Sequence, residues 1–152
     1  MTSWRRFAVS GSAQTASPAK GRRHSRRRHI GLRCSERAAA GQVRIRAELS
    51  LAEELGVEVH VCSVTLTETL RGHRRDARMY SVLSGTSQEV VTPQIGRSAG
   101  ELLGRANRDN TVDAIVAATA EKLGTRVRLL TGDPDDLGAL TADMGNVTVV
   151  AI

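Results

Sequence analysis

The chain from about residue 47 onward alternates short apolar runs with amphipathic segments. Val57–Val61 alternates at a period of two, and Val127–Leu130 and Val147–Ile152 are short runs rich in Val, Leu and Ile, so each predicts a β-strand. A further brief strand is predicted at Glu89–Thr92, closed by Pro93. The amphipathic segments predict helices, which cover Ala47–Leu55, Val64–Leu70, Asp76–Leu83, Ser98–Ala106, Val112–Leu123 and Pro134–Ala142. Strands separated by helices predict an α/β fold with a parallel sheet covered on both faces.

Residues 1–46 differ in composition from residues 47–152 and are set apart from a folded body there. Residues 1 to about 41 show neither helical nor strand periodicity. Residues 1–50 hold 12 Lys and Arg and 2 acids, a net +10, whereas residues 51–152 hold 10 and 14, a net −4. Three interpretations stay open for this basic segment. The first is a disordered tail. The second is an arm whose Arg26, Arg27 and Arg28 contact nucleic acid phosphates. The third is that the segment is the product of an out-of-frame start.

Cysteine and aromatic content exclude several classes of protein. Cys34 and Cys62 lie far apart without CxxC spacing, which disfavours a disulfide framework and a zinc site and favours a reducing cytoplasm. No apolar run approaches the roughly 20 residues that span a bilayer, so no membrane partner is expected. With Trp4, Phe7 and Tyr80 as the only aromatics, base stacking on aromatic platforms, the usual mode of single-strand binding modules, is nearly excluded.

Carboxylates are the side chains best placed for chemistry. Glu68 lies in the helix after the first predicted strand, Asp113 in the first turn of the helix 112–123, and Asp133 directly after the strand 127–130. Ligand sites of open parallel sheets form at the carboxyl ends of strands and the helix N-termini beside them. Acids gathered there need a cation, and hard oxygen ligands select Mg²⁺ or Mn²⁺.

Each acid also has an ordinary structural explanation. Asp133 before Pro134 is a typical N-cap, and Asp136 three residues on suits the helix dipole. Asp113 is favourable in a first turn that Thr111 would cap. Glu68 fits a solvated helix position. Taken singly, these explanations are the stronger ones, and only the joint arrangement of the acids favours a site.

The segments around these acids resemble a PIN domain, the metal-dependent ribonuclease fold of VapC-type toxins. The resemblance rests on Ala99–Gly104, on Thr111–Ala117, on Leu130–Leu137 and on Val64–Gly72, in the family's order and with similar spacing. It covers roughly the last two-thirds of the chain. The Val112-Asp113-Ala114 and Thr131-Gly132-Asp133 pieces are specific in combination.

The resemblance implies a three-layer α/β/α fold and Mg²⁺- or Mn²⁺-dependent hydrolysis of RNA. Glu68, Asp113 and Asp133 would be three members of an acidic quartet that holds the metal, with Asp136 as a further helper and Thr131 beside the cluster. It also implies RNA as substrate, a cognate antitoxin and a homodimer as partners, and a cytoplasmic location.

One feature departs from the family pattern, because PIN domains begin with an apolar strand that ends in aspartate. No aspartate precedes Asp76, Ile30–Cys34 is a poor buried strand, and Glu36 is the only carboxylate near it. The metal site is therefore expected to be one ligand short, with impaired activity, unless the true N-terminus lies in another reading frame. The rival hypothesis is a non-catalytic nucleic-acid-binding protein that uses the basic arm.

Overall fold

The structure, a computed structural model, describes residues 29–31, 38–124 and 126–152. Its helices are α1 (Ala38–Glu54), α2 (Leu66–Thr69), α3 (Ala77–Leu83), α4 (Pro93–Ala106), α5 (Thr111–Lys122) and α6 (Pro134–Leu140). Its strands are β1 (His29–Gly31), β2 (His60–Cys62), β3 (Ser87–Glu89), β4 (Val127–Thr131) and β5 (Val147–Ala151). The predicted α/β class is confirmed.

The strands form two small sheets in which every pair is parallel. In one sheet β4 lies between β1 and β5, with Val127 opposite both His29 and Val147. In the other, β2 pairs with β3, and His60 lies opposite Ser87. The two sheets meet where β1 contacts β2. Because all the pairs are parallel, the carboxyl ends of the strands in each sheet share one edge.

Consecutive residues of the strands point into two different hydrophobic cores. Leu129 and Cys62 belong to a core that α4, α5 and α6 complete, and both are fully buried. Leu130 and Val61 belong to a second core, completed from α1 and α3. Since side chains of a strand alternate between the two faces of a sheet, β2 and β4 each carry apolar residues on both faces.

The start of the folded chain differs from the sequence prediction. β1 forms at His29–Gly31 although only Ile30 is a strong strand former there, because the strand pairs with the buried β4. Helix α1 begins at Ala38 rather than Ala47, consistent with the high helix propensity of the alanines at 38–40. Both elements enter the segment 1–46. The basic cluster before β1 and the linker residue Glu36 lie outside the described residues.

An ion pair fastens α1 to the sheet. The guanidinium of Arg128 on β4 donates to Glu48 Oε1 of α1 at 3.0 Å, and both side chains are largely shielded from water. Arg128 alternates with the buried Leu129, so it lies on the face of the sheet that α1 covers. This ion pair, together with the burial of Ala52 of α1 in the second core, determines where α1 lies on the sheet.

Pro93 begins α4 instead of closing a strand. The hydroxyl of Thr92 accepts the backbone N–H of Ile95 at 3.3 Å, which makes Thr92 the N-cap and Pro93 the first helical residue. Strand β3 correspondingly ends at Glu89, before the apolar Val90 and Val91. The helix α5 matches its prediction closely. It ends at Lys122, and Leu123 is the C-cap. Gly124 follows with a φ of +69°, which few other residues adopt.

Candidate functional site

Glu68 projects from the short helix α2 that follows β2. A 3-10 turn, Ser63–Thr65, connects them, and the Thr65 hydroxyl fixes it by donating to the carbonyl of Cys62 at 2.8 Å. The Glu68 side chain is half-buried, and its Oε2 atom is fully buried without a hydrogen bond inside the described part of the chain. Most buried polar atoms form a hydrogen bond that offsets the cost of removing them from water, and this carboxylate oxygen has none among the described residues. Glu68 is therefore not the solvated helix position that the sequence allowed.

Asp113 lies in the first turn of α5 and is completely buried. The helix begins at Thr111, so the prediction that Thr111 is the N-cap was wrong, and Asn110 occupies that position. The Thr111 hydroxyl is directed at the carbonyl of Asp109, 3.5 Å away. A carboxylate in the first turn interacts favourably with the positive end of the helix dipole.

Asp133 follows β4 directly and precedes α6. The fully buried Thr131, the last residue of β4, accepts the backbone N–H of Asp133 at 3.0 Å and donates to its carbonyl at 3.2 Å. The Asp133 side chain makes no N-cap hydrogen bond to α6. Asp133 is thus the N-cap residue with Pro134 as the first helical residue, as predicted, but its side chain does not cap the helix. Thr131 sets the backbone conformation from which the carboxylate projects.

Asp136 joins the N-terminal ends of α5 and α6. Its Oδ2 atom accepts a hydrogen bond from Asn110 Nδ2 at 3.3 Å, and its Oδ1 atom lies 3.3 Å from the guanidinium of Arg108. Both carboxylate oxygens are therefore occupied by partners from the loop before α5. Asp136 positions the first turn of α5, which carries Asp113, next to the carboxyl end of β4.

Each of the three predicted acids lies near the carboxyl end of a strand or at the N-terminal end of a helix. Glu68 and Asp133 follow the carboxyl ends of β2 and β4, and the contact between Asn110 and Asp136 brings the N-terminus of α5 to the same edge as Asp133. The 3-10 turn before α2 also contacts α5. Nevertheless, within residues 29–31, 38–124 and 126–152, no group of three or more His, Cys, Asp or Glu side chains is arranged to hold a metal ion.

Asp76, which the sequence analysis treated only as a helix start, shapes the loop after α2. Its carboxylate is buried and accepts the backbone N–H groups of Arg71 at 2.8 Å and His73 at 3.0 Å. These hydrogen bonds stabilise the charged form and hold the pKa of Asp76 below its ordinary value of 3.8. The feature of the sequence that could have indicated this role is that Asp76 is the one acid in the basic segment 71–78.

His60 connects the two strands of the smaller sheet. Its Nδ1 atom lies 2.6 Å from Glu89 Oε1 on β3, and its Nε2 atom lies 3.5 Å from Glu58 Oε2. The two nitrogens thus face different carboxylates on opposite sides of the ring, which suits a structural link between strands and does not suit one shared metal. The predicted nucleic-acid contacts Arg26, Arg27 and Arg28 lie outside the described residues.

Comparison of the chain with known protein families, curated proteins and solved structures finds no match. In the part of the chain that the structure describes, no helix combines the length and the apolar character needed to cross a membrane.

Proposed function

We propose that this chain is a divalent-metal-dependent endoribonuclease of the PIN type. The observation that carries the proposal is the joint placement of Glu68, Asp113 and Asp133, each buried or half-buried beside the carboxyl edge of parallel strands. The buried, uncompensated Oε2 atom of Glu68 adds to it, because a cation would supply the missing partner.

The topology supports the same proposal. The two sheets lie side by side where β1 contacts β2, so pairing of these two strands would give the order β3-β2-β1-β4-β5. The two hydrophobic cores, with α4, α5 and α6 in one and α1 and α3 in the other, fit a three-layer α/β/α arrangement. This arrangement agrees with the resemblance of the C-terminal segments to PIN domains and gives the weak strand β1 the central position.

The donor atoms of the three acids fit a hard cation. Mg²⁺ is commonly held by one or two carboxylates and keeps several waters, so it does not need a closed cage of three side chains. We assign Glu68, Asp113 and Asp133 as the residues that would hold Mg²⁺ or Mn²⁺, directly or through water. Such a cation lowers the pKa of a bound water and offsets charge on phosphoryl oxygens.

Two further residues keep the acids in place. Asp136 is occupied by Arg108 and Asn110, and we therefore assign it a positioning role at the N-terminus of α5 rather than direct ligation. Thr131 sets the backbone of Asp133. A cognate antitoxin and a homodimer remain predictions from the family resemblance.

A second candidate function is nucleic-acid binding without cleavage. The observation that favours it is the lack, among the described residues, of three acidic or imidazole side chains arranged for a metal. With no aspartate before Asp76, a weak site or none is the expected consequence. Cleavage and binding therefore have to be measured separately.

Cleavage of a fluorescent RNA with Mg²⁺, and again with excess EDTA, tests the proposal. Asp113→Asn should reduce the Mg²⁺-dependent rate by more than about 100-fold, since even residues outside the first coordination sphere commonly cost roughly 10–100-fold. Asp135→Asn is the matched control, because Asp135 is an exposed acid in the first turn of α6 without a partner among the described residues. Equal rates for the wild type and Asp113→Asn, or cleavage that survives EDTA, would exclude the proposed mechanism.

A further inference from the structure

The segment that follows the Glu68 helix is the most basic stretch of the folded body. Residues 71–78 contain four arginines and one histidine against one acid, Asp76. Arg71, His73 and Arg74 are exposed, whereas Asp76 is buried and directs its carboxylate at backbone N–H groups. The Asp76 carboxylate therefore binds the backbone of Arg71 and His73, and no ion pair joins it to the side chains of Arg71 or Arg74. The exposed side chains of this segment that the structure describes are basic.

The shape of this loop is determined by specific contacts. Asp76 accepts the N–H groups of Arg71 and His73, and Gly72 between them has a φ of +73°, which permits the tight turn. The Arg71 guanidinium donates to the carbonyls of Thr67 at 2.8 Å and Leu70 at 2.9 Å, at the end of α2. The loop is thus joined to the helix that carries Glu68, and its basic surface begins three residues after that acid.

Arg71 and Arg74 are the arginines of this loop whose side chains the structure describes, and of these two Arg74 remains available for a ligand. The Arg74 side chain forms no hydrogen bond or ion pair with the described residues. An exposed guanidinium without an acidic partner is suited to phosphate, which it can bind through two parallel N–H donors.

Tyr80 adds an aromatic surface on the same side. It is the only aromatic residue in the described part of the chain, and it is 55% exposed, whereas its neighbours Met79 and Leu83 face the core. Positions 74, 77 and 80 follow one another at intervals of three along a 3-10 turn and the start of α3, so they share the exposed face. An exposed tyrosine near an unpaired arginine matches the two contacts that single-stranded nucleic acids use, stacking and phosphate pairing.

We propose that Arg74 and Tyr80 form the contact surface for single-stranded RNA, with Arg74 on a backbone phosphate and Tyr80 stacked on a base. The choice of RNA rests on the proposed function. The surface lies beside the Glu68 helix, so a strand held there would run along the edge that carries the acids. This assignment differs from the basic arm, since it places the binding determinants on the folded body.

Fluorescence anisotropy of a short, unstructured RNA in EDTA measures this binding without any cleavage. Loss of one phosphate contact should reduce the slope of log affinity against log salt concentration by about 0.7, which corresponds to roughly fivefold weaker binding at about 0.1 M salt. Arg74→Ala should show both changes. Tyr80→Leu should weaken binding roughly fivefold or more with an unchanged slope, and Tyr80→Phe should bind like the wild type.

Arg105→Ala is the matched control. Arg105 is an exposed arginine in the last turn of α4 beside Glu121, which is about two turns along α5 from Asp113. Full affinity of Arg74→Ala and Tyr80→Leu, or equal losses in Arg105→Ala, would overturn the proposal. Loss of all binding in the triple variant Arg26→Ala, Arg27→Ala, Arg28→Ala would do so as well. Because binding is measured without metal, the surface is supported even if the wild type proves unable to cleave RNA.

Discussion

Replacing Glu68 by glutamine separates a metal-binding role from a structural one. In the absence of metal, Glu68 Oε2 is a buried carboxylate oxygen without a hydrogen bond within the described residues. Leaving a buried polar group unsatisfied costs about 1–3 kcal/mol, more when the group is charged. Glutamine keeps the size of the side chain and removes the charge, so it recovers part of this cost. We expect Glu68→Gln to raise the free energy of unfolding in EDTA by about 1 kcal/mol.

Added Mg²⁺ should reverse the order of the two proteins. A ligand at ten times its dissociation constant stabilises the folded state by about 1.4 kcal/mol. The wild type should gain this stability, whereas Glu68→Gln should gain little, because one of the acids assigned to the metal is absent. For a chain of 152 residues, 1 kcal/mol corresponds to a shift of roughly 2–4 °C in the unfolding midpoint. Thermal unfolding of both proteins across a Mg²⁺ titration therefore resolves the effect.

Glu101→Gln is the control for this experiment, since Glu101 is an exposed carboxylate in the middle of α4 without a partner among the described residues. It should leave both the stability in EDTA and the response to Mg²⁺ unchanged. The reasoning is refuted if Glu68→Gln is less stable than the wild type in EDTA and responds to Mg²⁺ as the wild type does. Glu68 would then contribute to the fold alone.

Three further predictions concern the framework that holds the acids. Leu129→Ala removes a fully buried side chain from the centre of β4 and should lower the free energy of unfolding by about 2–5 kcal/mol in urea titrations. A double-mutant cycle on Arg128 and Glu48, which pair at 3.0 Å, should give a coupling of about 1 kcal/mol, and no coupling would mean that the pair does not fasten α1. The lowered pKa of Asp76 contributes stability that is present above pH 3.8 and lost as the pH falls through the pKa of the folded state. Asp76→Asn should therefore lower the free energy of unfolding at neutral pH and make that free energy fall less steeply in acid.

The strands and helices of the C-terminal part were predictable because their signals are local. The Val- and Leu-rich run at 127–130 predicts β4 to within one residue of its observed end at Thr131. The Asp133-Pro134 pair predicts the start of α6 at Pro134. The start of α4 was missed although Thr92-Pro93 is a cap signal, because the two valines before it also suggest a strand. β1 was not predictable, since its three residues depend on pairing with β4 rather than on their own propensity.

The sequence predicts where the acids lie along the order of strands and helices, but it does not predict which residues contact them. The order of predicted strands and helices along the sequence is enough to place Glu68 and Asp133 after strands. The pairing of Asp136 with Arg108 joins residues 28 positions apart, and the lack of a cap bond at Asp133 depends on the local backbone angles. The first contact changes Asp136 from a predicted helper at the metal into a positioning residue, and the second observation leaves the Asp133 carboxylate without a capping role.

Locating a bound Mn²⁺ ion by its anomalous scattering in a crystal of the full chain tests the central claim most directly. Mn²⁺ takes the oxygen ligands that Mg²⁺ takes, and its position is visible independently of any assay of activity. The account predicts one peak bounded by the carboxylates of Glu68, Asp113 and Asp133, and its loss in Asp113→Asn but not in Asp135→Asn. A well-ordered site without a peak at saturating Mn²⁺, or a peak held by other residues, would contradict it.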